Sequence, residues 1–152
     1  MTLSKKNNFY KILDKVNYQA NFHLFYIHTY SIMSVKIDTK EKFSVIIPET
    51  SEISANMSDE LKELLNSYLN HSIPHVILSL RNVKKMDNGV AEMILNIQVG
   101  FYEKNCSFII CETLKELMFL FENSINITPT ESEAWDIIQM EEIERELLND
   151  FD

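Results

Sequence analysis

Residues 75–95 read HVILSLRNVKKMDNGVAEMIL, from His75 to Leu95. The opening six residues, His75 to Leu80, form a short apolar run of strand length. From Asn88 the pattern changes: Val90, Ile94, Ile97 and Phe101 recur at 3.6-residue spacing and mark the buried stripe of a helix reaching about Glu103. Met86, Asp87, Asn88 and Gly89 make the corner between the two. An apolar strand feeding an amphipathic helix is the repeating unit of a parallel sheet, and the flanking sequence supplies more of them.

On the N-terminal side, Ser34 to Asp38 and Phe43 to Ile47 read as two strands joined by the charged turn Thr39-Lys40-Glu41-Lys42, the second stopped by Pro48. Met57, Leu61, Leu64, Leu65 and Tyr68 then recur at helical spacing, with Asn70, His71 and Pro74 marking the stop. On the C-terminal side, Cys106 to Cys111 is an apolar strand. Thr113-Leu114-Lys115-Glu116 has the capping-box pattern that opens a third helix. Ile125 to Thr128 is a short strand ended by Pro129, and Thr130-Glu131-Ser132-Glu133 is a second capping box starting a last helix that runs to about Leu148. The order β-β-α-β-α-β-α-β-α predicts an α/β fold, with a mostly parallel sheet, an antiparallel opening hairpin and four amphipathic helices.

The last helix changes face along its length. Ala134, Ile137 and Ile138 make one stripe, and Met140, Ile143 and Leu147 another, rotated round the wheel. Wrapping of the helix over the core is the expectation; the alternative is that the tail MEEIERELLNDFD offers its second stripe to a partner or a second copy.

At 152 residues the chain fits one domain. Residues 1–32 differ in composition, with Lys5, Lys6, Lys11 and Lys15 against Asp14 and an aromatic-rich run, NFHLFYIHTYSI. Their charge is +3, leaving −12 for the remainder of a chain whose net charge is −9. The expected organisation is an extension over 1–32, either ordered on the sheet, flexible, or an over-long start before Met33; one domain over 33–148; and an acidic end over 149–152. The acidity argues against nucleic acid and anionic membrane as partners. No apolar run approaches the ~20 residues that span a bilayer, so a soluble protein is expected. Cys106 and Cys111 fall on one short strand, too far apart to bridge each other, and with no leader pattern the expectation is a cytoplasmic protein with reduced thiols.

Catalytic chemistry finds few candidates. The four histidines, His23, His28, His71 and His75, have no nucleophile motif beside them and read as surface or hydrogen-bonded residues. Metal-ligand spacings are absent, and with Gly89 and Gly100 as the only glycines no phosphate-cradling loop can form. No enzyme activity, cofactor or metal is expected. Asp87 could be the phosphoacceptor of a receiver domain, but that chemistry needs an early acidic pair, and Glu49 and Glu52 are not adjacent. Asp87 reads better as the N-cap of the helix that follows it. On that helix Asn88, Glu92, Asn96 and Glu103 lie opposite the buried stripe, with Leu95 and Val99 among them.

The corner, with the element order from Met33 to Leu148, resembles the STAS domain, the fold of bacterial anti-sigma factor antagonists. In that family the strand ends in Met or Ile, then Asp, Ser, Ser, Gly, Leu, and the first Ser after the Asp is phosphorylated by a kinase partner. Asp87 matches the Asp and Asn88 the phosphoserine position; Gly89 replaces the second Ser, Val90 the Gly and Ala91 the Leu. The resemblance implies a non-enzymatic signalling module that regulates transcription by binding an anti-sigma factor with a serine-kinase-type fold. Asn88 has no hydroxyl, so the module would be locked in an unphosphorylated-like state. The alternative is a scaffold or pseudo-component assembling with other STAS proteins, with homo-oligomers possible. Asp87, Asn88, Gly89, Glu92, Leu95 and Val99 are the expected partner-binding residues.

Overall fold

Three short runs of branched side chains, each buried on both faces, make the centre of the molecule. The computed structural model describes residues 33–150; the extension expected over 1–32, with His23 and His28, lies outside the described residues. The first strands are β1 (Val35–Thr39), β2 (Phe43–Pro48) and the two-residue β3 (Glu52–Ile53), followed by helix α1 (Ala55–Ser67) and one 3-10 turn over Tyr68–Asn70. Next come β4 (His75–Ser79), the two-residue β5 (Lys85–Met86) and α2 (Asn88–Glu103). The chain ends with β6 (Phe108–Cys111), a 3-10 helix over Lys115–Phe121, β7 (Ile127–Thr128) and α3 (Glu131–Asn149).

The main sheet has the order β1-β2-β4-β6-β7. β1 and β2 are antiparallel and all the other pairs parallel, as the hairpin and the alternating elements predicted. A receiver domain would be parallel throughout, with its first two strands exchanged, so that alternative is set aside by topology. β3 and β5 form a separate parallel pair that the sequence did not announce, since two residues carry no period.

Side chains alternate across the sheet with period two. Ile46, Val76, Leu78, Phe108 and Ile110 point to one face, where α1, α2 and the 3-10 helix cover them. Val45, Ile47, Ile77, Ile109 and Cys111 point to the other, covered by α3 through Ala134 and Ile138, with Trp135 stacked on Phe43 at 4.7 Å. Branched and aromatic residues fill most positions of these strands because both layers must be served, and the buried Ser44 and Ser79 are the polar exceptions, so the strands read as near-continuous apolar runs.

One of the two expected helix caps fails. Thr113 does not cap: the 3-10 helix begins at Lys115 with Leu114 in the cap position, and the Thr113 hydroxyl is buried without a hydrogen-bond partner. Glu112 causes this by leaving β6 in the left-handed region, at φ 56°, which carries Thr113 away from the helix start. The Glu112 carboxylate accepts from the buried Ser79 hydroxyl at 2.5 Å, an anchor that offsets the left-handed backbone. The second box forms as expected, with the Thr130 oxygen accepting from the Glu133 N–H at 3.2 Å.

The larger correction concerns α3. It does not wrap its second stripe over the core: Met140, Ile143 and Leu147 are 60%, 57% and 55% exposed. Beyond Ile138 the positions that face the domain are polar. Glu141 accepts from Ser107 at 2.5 Å and from Asn126 at 2.6 Å, and Arg145 donates to Ser107 at 2.8 Å. Glu142 takes Lys42 at 3.1 Å and lies 3.6 Å from the His75 ring. These partners stand at the N-terminal ends of the strands, where the Ser107 hydroxyl, the Asn126 amide, the Lys42 ammonium and the His75 ring offer α3 a polar seat rather than an apolar one.

His75 belongs to this seat. Its Nδ1 accepts from the Ser107 N–H at 3.0 Å. Burial, seconded by the Arg145 charge, holds its pKa below the ordinary 6.5, against the opposing pull of Glu142 and Glu141. The folded protein therefore binds fewer protons at this site than the unfolded chain, so the contribution of His75 to stability is complete above about pH 6.5 and is lost as pH falls through its folded value. Thermal midpoints at pH 7.5 and pH 5 should fall further for the parent chain than for His75→Gln, whose amide oxygen can still accept from Ser107. Equal falls would show that His75 is not the titrating group.

Candidate functional site

The corner between β5 and α2 is shaped by the small sheet. Parallel pairing of Ile53 with Met86 sets two strand-to-helix junctions side by side, so the start of α1 and the start of α2 are neighbours. Asp87 links them. Its N–H donates to the Ile53 carbonyl at 3.2 Å, and its own carbonyl accepts from Val90 and Ala91, closing the first turn of α2.

The Asp87 carboxylate does not cap its own helix, which starts without any side-chain cap. It accepts instead from the N–H of Ala55, the first residue of α1, at 2.7 Å. Ser54 holds the cap position of α1 but makes no side-chain bond there, so an N–H at the positive end of that helix is free for a carboxylate brought by the neighbouring junction. The residue type was legible in the sequence; the helix it serves was not.

Asn88 is the first residue of α2, and it is exposed together with Asp87, Gly89 and Glu92. A side chain at Gly89 would meet open space, and Gly89 has no positive φ, so the fold does not require glycine in place of the family's serine. The buried stripe of α2 consists of Val90, Ala91, Ile94, Ile97, Gln98 and Phe101. Leu95 departs from expectation: it is half-buried and packs against the core. Val99 is exposed as expected, at 43%.

Sequence reasoning missed a second exposed apolar surface. The 3-10 helix packs against α2, and Leu114 at its cap, Met118 and Phe119 are exposed, Phe119 by 63%, while Tyr102 is exposed about two turns beyond Leu95 on α2. The run LMFLF, Leu117 to Phe121, held the signal. Five apolar residues in sequence cannot all face one core on a short helix, so some must face outward.

Reactive chemistry is sparse among the described residues. There is no group of three or more metal-ligating side chains, and no helix long and apolar enough to cross a membrane. His71 and His75 are each hydrogen-bonded to backbone N–H groups. Cys106 and Cys111 are free thiols. Cys111 is buried, and burial followed by the Glu112 charge pushes its pKa up to about 12, so it stays a protonated core residue. Cys106 precedes β6 and is only half-buried, which differs from the expectation of two strand residues.

A mixed sheet with an opening hairpin, helices on both faces and an exposed strand-to-helix corner defines the class of α/β domain that the sequence pattern resembles. The family model "STAS domain" matches residues 34–134, and the chain belongs to the STAS domain family. Among solved structures, a Thermotoga maritima protein assigned to the anti-sigma factor antagonists is similar with a TM-score of 0.62 at 16% identity, covering 69% of this chain and 94% of that one. The anti-sigma factor antagonist SpoIIAA in its unphosphorylated form gives 0.58 at 13% identity, covering 70% and 98%. The Bacillus cell fate determinant SpoIIAA in its phosphorylated form gives 0.55 at 13% identity, covering 69% and 99%. No curated protein matches by sequence.

Proposed function

We propose that this chain is a non-enzymatic protein-binding module of the anti-sigma factor antagonist type, held in an unphosphorylated-like state. The carrying observation is Asn88, exposed at the first position of α2, where the family motif has its phosphorylated serine. An amide there has no oxygen nucleophile to accept a phosphoryl group, so the charge of about −2 that phosphorylation would add cannot arise. The docking face on this reading joins Asn88 and Glu92 to the apolar side chains of Val99 and Phe119. Its partner is an anti-sigma factor with a serine-kinase-type fold, with a bacterial, cytoplasmic setting and a domain over 33–148.

A second reading, a scaffold that assembles with other STAS proteins, draws support from the outward stripe of α3, a docking surface well separated along the chain from the corner. Capture of partners from native cell extract on the immobilised full chain separates the two. The first reading expects a kinase-fold anti-sigma factor, captured equally in the presence of ATP, and lost by about tenfold or more with Val99→Asp or Phe119→Asp. Asn88→Asp should weaken capture less, and Asn88→Ser should make it respond to ATP. Retention by all the aspartate variants would put the interface elsewhere, and capture of STAS proteins alone would favour the scaffold.

A further inference from the structure

The C-terminal half of α3 is amphipathic in the reverse sense: the side chains it turns to the domain, Glu141, Glu142 and Arg145, are polar, and its large apolar ones face away. At 100° per residue, Met140, Ile143 and Leu147 form one outward stripe. Glu144 flanks it on one side, and Glu146 and Asp150 on the other. Arg145, the only cation of this helix, is turned inward to Ser107 and Glu141. Beside the stripe is a hollow of about 290 Å³ lined by Lys42, Gln139, Glu142, Ile143 and Glu146, in which Lys42 is already paired with Glu142.

From this charge pattern we infer that the outward face of α3 docks a basic amphipathic helix of another protein, one whose apolar stripe is flanked by Lys and Arg. The apolar residues alone would fit several occupants, and the acidic rim decides among them. A second copy would set the acidic rim of Glu144, Glu146 and Asp150 against that of its twin, with only Lys42, already paired with Glu142, as a cation beside the stripe among the described residues. An anionic membrane surface would be repelled by the same rim. A helix with a basic rim meets complementary charge on both sides of the stripe and buries side chains that the domain itself leaves in water.

The inference is separate from the reading of the α2 corner, and the variants keep the two apart. Full-length protein is titrated with three fluorescently labelled synthetic peptides: leucine and lysine arranged with leucine at i, i+3, i+4 and i+7; the same composition scrambled so that no stripe forms; and the striped peptide with glutamate for lysine. The striped lysine peptide should bind at least about tenfold more tightly than either control and weaken steeply with added salt. Ile143→Ser with Leu147→Ser should reduce that binding about tenfold or more without moving the thermal midpoint, and Val99→Asp should leave it unchanged. Equal binding of the scrambled peptide, or indifference to the serine pair, would overturn the inference. So would sedimentation showing a dimer that the serine pair dissolves, or binding to phosphatidylserine vesicles that the serine pair removes.

Discussion

Gln98→Leu is expected to destabilise the domain by roughly 3–5 kcal/mol, the largest effect of any single polar substitution here. Gln98 is fully buried on α2, and every polar atom of its amide is used. The amide nitrogen donates to the carbonyls of Phe108 at 3.0 Å and Asn126 at 2.9 Å, while the amide oxygen accepts from the Ser124 hydroxyl and the Ile125 N–H, both at 2.9 Å. Leucine fills a similar volume but leaves backbone groups of the β7 approach unpaired, and each such orphan costs about 1–3 kcal/mol. For a domain of this size the thermal midpoint should drop by about 10 °C. Gln98→Glu gives a sharper test, because an ionised carboxylate would face two carbonyl oxygens. It should be at least as damaging at pH 7 and partly recover at lower pH, where protonation restores one donor. A fall of under about 1 kcal/mol for both variants would mean that water or a shifted backbone replaces the amide. This amide ties α2, the helix of the proposed docking face, to the segment that follows the 3-10 helix.

The second large effect separates the two stripes of α3. Ile138 is fully buried against Ile77, Ile109 and neighbouring residues, and Ile138→Ala should cost about 2–4 kcal/mol through lost transfer energy and the cavity left behind. Ile143→Ala, about one and a half turns further along the same helix, should stay within about 0.5 kcal/mol, since its side chain already stands in water. Chemical denaturation of the full chain with both variants decides the point. If Ile143→Ala costs as much as Ile138→Ala, the outward stripe is packed in solution, and the helix-docking inference fails with it.

Much of the fold was open to reading because strands covered on both faces require apolar residues at nearly every position, with Ser44 and Ser79 the buried exceptions. The runs Phe43 to Ile47, Val76 to Leu80 and Phe108 to Cys111 therefore stand out without any partner being known. The chemical fact at the centre of the functional reading, that residue 88 carries an amide and no hydroxyl, is also a property of sequence alone. Tertiary structure decided what depends on which elements meet. Asp87 caps α1 rather than α2 because two-residue strands pair and bring helix starts together, and the bond to Ala55 spans 32 positions. Gln98 sits in an apolar stripe and gives no sign of its four partners, three of which are 26 to 28 residues away. The spacing of Met140, Ile143 and Leu147 reports a stripe but not its direction. Periodicity records the faces of a helix, and only the neighbour it packs against, here a polar seat of Ser107, Asn126 and His75, determines which face turns inward.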